Sequence, residues 1–231
     1  MREYTVEQSS LNFKWTFQRM LPSLPGPGSP AFVELCKGLH PYGINPSTVT
    51  VDAPSSRLAD LTLGIVLLDN RVIVRINSAA LELIVRDLLV GDEEKLIPIT
   101  ELLFIAVQAI DADAIQGQAT LRTYSHLKLA PGEYDLLLRE HVRFPEGAPT
   151  FSPHAVIYNV QPQGDSRAKE ITITIAKSLA HLDSLFLDIS AEYNGPIAPA
   201  ELAEQVNLNG ERVVEMLGLR EQADETGSRE S

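Results

Sequence analysis

Little in this sequence advertises chemistry, and its shortages bound what the protein does. It has one cysteine, Cys36. A lone thiol makes no internal disulfide, so no oxidised framework holds the chain together. Basic residues are scarce: 19 Lys+Arg stand against 31 Asp+Glu, a formal net charge of −12. That balance opposes bulk attraction to nucleic acid or to an anionic membrane, though it leaves room for a local basic patch. Long apolar runs are missing. LGIVLLDN and ITELLFIAVQAI are the longest, and polar residues break both before the ~18–20 residues of a membrane helix. The opening MREYTVEQSSLNF has no apolar h-region, so no secretory signal is expected and the expected location is the cytoplasm.

Catalytic signatures are missing too. No HExxH, GxSxG, CxxC, Walker A or GxGxxG pattern occurs. The glycines of LPSLPGPGSP suggest a phosphate cradle, but Pro25, Pro27 and Pro30 remove the backbone donors it needs and no Gly-Lys-Ser/Thr follows. Aromatic residues are only 6% of the chain, and no RNP, KH or zinc-knuckle signature accompanies them.

What the chain does have is apolar material: 44% of 231 residues, enough for a substantial core. Residues 11–17 alternate, with Leu11, Phe13, Trp15 and Phe17 on one side, which reads as a strand. Ser29-Pro30 opens a helix over 31–39. A short strand is expected at 48–52, and LTLGIVLL and VIVRIN form a hairpin about Asp69-Asn70. Ser78 is expected to cap a helix, SAALELIVRDLL, ended by Gly91. A further helix is expected at about 99–110, opened by Pro98 or Thr100, with a buried strand as the alternative. Residues 120–129 and 134–144 read as a hairpin about Ala130-Pro131-Gly132-Glu133. Strands follow at 155–161, 170–176 and 184–193. A closing helix over 198–219 is expected to break near Asn209-Gly210. Strands and helices come in runs, so the expected class is α+β with mainly antiparallel sheet packed by helices. Residues 1–112 and 113–221 have similar element order, which invites an internal duplication that no residue-level repeat supports. Residues 222–231 form a polar tail expected to be disordered.

The candidate site lies in the 124–144 stretch, YSHLKLAPGEYDLLLREHVRF. Pairing Leu129 with Tyr134 puts Leu121, Leu127, Leu129, Tyr134, Leu136, Leu138 and Val142 on a core face. The opposite face carries Arg122, Tyr124, His126, Lys128, Arg139, His141 and Arg143 against one acid, Asp135. In that register His126 and His141 are roughly 13 Å apart at about 3.3 Å per residue, too far to share a zinc ion, so no metal or cofactor is assigned. The face reads as solvated, as covered by an acidic helix such as 200–216, or as a surface for a protein partner or a second copy of the chain.

Other chemistry-bearing residues have plainer readings. Cys36 and His40 would share a helix face, but Phe32, Val33, Leu35 and Leu39 make Cys36 a structural thiol. Asp111/Asp113 sit in a boundary loop, and Asp92-Glu93-Glu94 is a charged turn. Asp183 and Asp188 with His181 invite an acid–base site, yet Asp188 would lie on the Phe186/Ser190 face, where a local hydrogen bond suffices.

From YSHLKLAPGEYDLLLREHV to LFLDISAEYNGPIAPAELAEQVNLNGERVVEMLGL the chain resembles, in layout, a sporadically distributed family of uncharacterised bacterial proteins of similar length. The shared features are a late hairpin, a strand with the acidic LDIS segment, an acidic loop and a closing amphipathic helix. The likeness covers about half the chain and has no diagnostic motif; the family's N-terminal tryptophan-and-arginine pattern is poorly matched. It implies a two-part α+β fold and a bacterial cytoplasmic setting, and no activity or functional residue. Three functions are therefore weighed: a non-catalytic interaction or assembly protein using the charged face, a small-ligand binder or enzyme with a cavity between curved sheet and helix, and, least favoured, a nucleic-acid binder. For the second, His126, His141, Asp188 and Tyr193 are the side chains to substitute.

Overall fold

The computed structural model describes residues 2–26, 28–54, 57, 60–89, 91–142, 154–161, 167–195 and 197–222. In chain order these form β1 (Arg2–Thr16), α1 (Pro30–Leu39), β2 (Val49–Asp52), β3 (Thr62–Leu67), β4 (Val72–Asn77), β5 (Ala80–Val85), α2 (Glu93–Gln108), β6 (Gln118–Lys128), α3 (Glu133–Glu140), β7 (Ala155–Val160), β8 (Ala168–Lys177), β9 (Ser184–Tyr193), α4 (Pro199–Met216) and β10 (Leu219–Glu221). The class is α+β; of the tail expected over 222–231, Gln222 is described and its amide donates to the Tyr4 carbonyl, while residues 223–231 lie outside the described residues.

One sheet joins all the strands in the order β2-β3-β4-β5-β1-β6-β9-β8-β7, every neighbour antiparallel, with β10 parallel to the start of β1. Outward from the β1–β6 ladder the two sides match. Strand β1 is flanked by the meander β5, β4, β3, β2, and β6 by the meander β9, β8, β7. In the chain, each central strand is followed by a helix and each meander by another. The sheet runs unbroken across the 112/113 boundary.

Strand alternation fixes which face is dry. Leu11, Phe13 and Trp15 of β1, Leu121 and Leu127 of β6, and Leu185, Leu187 and Ile189 of β9 are buried on one side. The four helices close that side. Trp15 meets Phe104 of α2 edge-on at 4.6 Å, Asn209 of α4 donates to the Tyr193 hydroxyl at 3.1 Å, and Leu35 of α1 and Leu137 of α3 join the same core. Among the described residues the other face carries no helix.

Three expectations need correction. Residues 80–85 are a strand: Leu81, Leu83 and Val85 are buried, and the Asn77 side chain accepts from the Ala79 and Ala80 amides at 2.8 Å each, closing a tight turn where a helix cap was expected. Residues 133–140 are a helix. Tyr134, Leu137 and Leu138 are buried at helical spacing and Leu136 is exposed, so the 120–129/134–144 hairpin does not exist. Helix α4 runs through Asn209-Gly210 without a break. The 99–110 segment is helical, but α2 starts at Glu93 and holds Pro98 inside it. Its first turn carries Glu93 and Glu94, acids that suit a helix N-terminus.

Candidate functional site

The corrected fold divides the seven candidate residues. Arg122, Tyr124, His126 and Lys128 alternate along β6 and share the helix-free face. Arg139 is exposed on α3, on the far side of the sheet. His141 ends that helix, and its carbonyl accepts from the Tyr158 hydroxyl at 3.1 Å. Arg143 lies outside the described residues. The polar face assigned to 134–144 dissolves because Glu133–Glu140 form a helix instead of extending.

The four residues that remain are held by neighbours. Across the β6–β9 ladder, Tyr124 stands opposite Asp188 and Arg122 opposite Ser190, so the Arg122 guanidinium reaches diagonally to Asp188. It donates twice, at 2.9 and 2.6 Å, and sits 4.9 Å from the Tyr124 ring centroid. Those hydrogen bonds, against a smaller opposing effect of burial, raise its pKa and keep it charged. Tyr124 stacks on Phe186 at 6.2 Å. Phe186 lies 5.2 Å from His126, which lies 4.7 Å from His181. The His126 Nδ1 is 2.9 Å from the Ser178 hydroxyl. Burial first, then the neighbouring His181, push the His126 pKa down, with Glu7 opposing, which favours the neutral ring.

Glu7 occupies the β-bulge between Val6 and Gln8. The extra residue turns its carboxylate toward the β8–β9 turn, where it accepts from the Ser184 hydroxyl at 2.7 Å and pairs with Lys128 at 3.4 Å and His181 at 3.2 Å. The cationic face read from the sequence is thus largely neutralised within the fold: Asp188 answers Arg122, and Glu7 answers Lys128.

The remaining candidates have structural roles. Asp188 is buried against Arg122 on the face expected for it. Tyr193 is buried in the core; burial foremost raises its phenol pKa. Cys36 packs against the core, and burial raises its thiol pKa. Asp111 accepts a bidentate pair from Arg19 at 2.6 and 2.8 Å. Among the described residues no three His, Cys, Asp or Glu side chains are arranged to hold a metal ion. No described helix is long and apolar enough to cross a membrane.

A second place matches the weighed reading of a cavity between sheet and helix, though none of its lining residues was named from the sequence. On the β5 side, β1 pairs with β5 from Leu11 onward and with β10 only over Arg2–Tyr4. Between them the Leu88 amide donates to the Ser9 carbonyl and the Gln222 amide to the Tyr4 carbonyl, closing the two ends of a gap. A cavity of about 690 Å³ opens along this gap. Leu11 of β1, Leu96 and Ile97 of α2, and Leu202 and Val206 of α4 make it apolar. Asp87, Leu88 and Leu89, the segment between β5 and α2, form one lip. Arg71 holds that lip: it donates to Asp92 at 3.0 and 2.8 Å and to the Asp87 carbonyl at 3.0 Å. The Asp92 carboxylate also accepts the Leu89 amide at 2.8 Å. Four separate chain segments build these walls, so no local pattern announces them.

No protein-family model matches the chain, and a search of curated proteins finds no match.

Proposed function

We propose that the chain acts by binding and not by catalysis, and that its ligand enters the cavity between β1, α2 and α4. The observation that carries this reading is the cavity itself. At about 690 Å³ it lies in the size range of small-molecule sites, and its walls combine the apolar side chains of Leu11, Leu96, Ile97, Leu202 and Val206 with polar ones. Against catalysis, the titratable side chains near one another are engaged in structural pairs: Arg122 with Asp188, and Lys128 and His181 with Glu7. A cytoplasmic setting belongs to the same reading and is supported by the unpaired thiol of Cys36.

Ala203 lines the cavity from α4 and is the place to block it. Nile red, a neutral apolar dye, is expected to bind the native chain at one equivalent with enhanced emission. Ala203→Trp is expected to lower that affinity at least tenfold with an unchanged circular dichroism spectrum. Equal binding by a folded Ala203→Trp variant would remove the cavity from the function.

A second reading is favoured by the helix-free sheet face. There Tyr124, Asp188, Thr174 and Ile157 form one row across β6, β9, β8 and β7, and Ile157 is 64% exposed. Arg122 with Asp188 and Arg75 with Glu82 put both signs of charge on this face. A second copy of the chain meets that requirement, because a two-fold contact needs a self-complementary patch. Sedimentation of the native chain tests it.

A further inference from the structure

We propose that the cavity takes a small molecule with an apolar body and a cationic head. This rests on the binding reading above and names the ligand's class. Among the described residues four carboxylates line the cavity, Glu7, Asp87, Glu93 and Glu221, and no Lys, Arg or His does. Two of the four are already engaged: Glu7 by Ser184, Lys128 and His181, and Asp87 by the Gln8 amide at 2.6 Å. Glu93 and Glu221 are exposed at the rim, on α2 and β10 respectively.

The arrangement sorts ligands by charge. Leu11, Leu96, Leu202 and Val206 give the floor no charged partner, so a charge carried inward loses its hydration without compensation. A head left at the rim stays hydrated, and the charged side chains it faces among the described lining residues are all carboxylates. A cation gains there, and an anion is repelled by the rim and by the chain's net charge of −12. A low-dielectric wall beside the rim strengthens that preference over its value in open water.

The test uses three probes with one ten-carbon chain: decyltrimethylammonium, decanol and decyl sulfate, each below its micellar concentration, titrated calorimetrically into the full chain. Decyltrimethylammonium is expected to bind at least tenfold more tightly than decanol, and decyl sulfate more weakly than either. Raising the salt to 0.5 M is expected to shrink the cation's advantage. Glu93→Gln combined with Glu221→Gln is expected to bring the cation down to within about twofold of decanol while leaving decanol unchanged, a comparison that is internal to one folded variant. Equal binding of the cation and decanol to the native chain would overturn the cationic class and leave the cavity reading standing. Binding of none of the probes, or binding undiminished in Ala203→Trp, would overturn the cavity reading with it.

Discussion

At the scale of single residues, the pair Arg71–Asp92 ties stability to the cavity. Asp92 is buried, and Arg71 is largely covered. Burial alone would raise the Asp92 pKa, but the Arg71 hydrogen bonds, the Leu89 amide and the nearby positive charges bring it below its ordinary value. Removing one partner leaves a covered charge unanswered, so Arg71→Ala is expected to cost about 3 kcal/mol in urea unfolding at pH 7. A carboxylate whose folded pKa is depressed stabilises the fold above its unfolded value and stops doing so as pH falls through the folded one. Asp92→Asn should therefore be less stable than the native chain at neutral pH. The gap should close as pH drops below about 4, the unfolded aspartate value. A gap independent of pH would mean that the Asp92 charge contributes nothing. Since Arg71 also holds the Asp87 carbonyl in place, Arg71→Ala should weaken Nile red binding as well.

At the scale of elements, two glycines separate steric need from backbone freedom. A Cβ on Gly117 would run into the Thr16 carbonyl oxygen and come within 2.8 Å of the Gln18 amide nitrogen, where β6 leaves the end of β1. Neither backbone can yield without breaking the ladder at Thr16–Gln118. Gly117→Ala is expected to destabilise by about 3 kcal/mol. Gly210, in the middle of α4, has nothing within 4 Å of an added Cβ, so Gly210→Ala is expected to stabilise by about 0.5–1 kcal/mol. Thermal unfolding of both variants checks the pair: a Gly117→Ala variant as stable as the native chain would refute the packing at Gly117, and a destabilised Gly210→Ala would refute the open space beside Gly210. The Gly210 result bears on how the sequence was read. Asn-Gly suggests a break, but α4 is held on either side by Leu202 and Val213 in the core, and tertiary packing overrides the weak local preference. Where apolar residues satisfied one period only, as in Leu63, Ile65 and Leu67 of β3, the element was legible. Segments 80–85 and 134–138 fit both periods, and there alternation and helical spacing exchanged places. The TVEQSS stretch of β1 carries no alternation because it borders the cavity, between the buried Tyr4 and Leu11. The shared orientation read for Arg122, Tyr124, His126 and Lys128 holds along β6, and the one read for Arg139 and His141 fails because they belong to α3 and its end. The cavity had no local signal, because its walls come from residues 5–11, 87–97, 199–207 and 221–222 and meet only after the sheet is assembled.

At the scale of the whole molecule, the four helices of the described residues lie on one face of a sheet nine strands wide along its main path, and among those residues nothing helical covers the other face. An antiparallel sheet tolerates a wet face when that face is polar. This one is mixed. Lys14, Thr16 and Glu192 are exposed on it, yet Val66, Ile73 and Ile84 continue one row across β3, β4 and β5, and Tyr124, Phe186 and Ile157 lie toward the opposite edge. Two copies packed face to face would bury both apolar groups and set Arg122–Asp188 of one copy against the mixed charges of the other. The internal pairs already neutralise those side chains, so their desolvation costs less than that of free ions. Placing carboxylates at Tyr124 and Ile157 on this face should break the contact without touching the core. Tyr124→Glu with Ile157→Glu is expected to convert a native dimer to monomer in sedimentation velocity at micromolar concentration. Cavity binding of Nile red should be retained, since neither residue lines the cavity. A native chain that sediments as a monomer across that range would remove the second copy from this face and leave the cavity as the protein's one argued site.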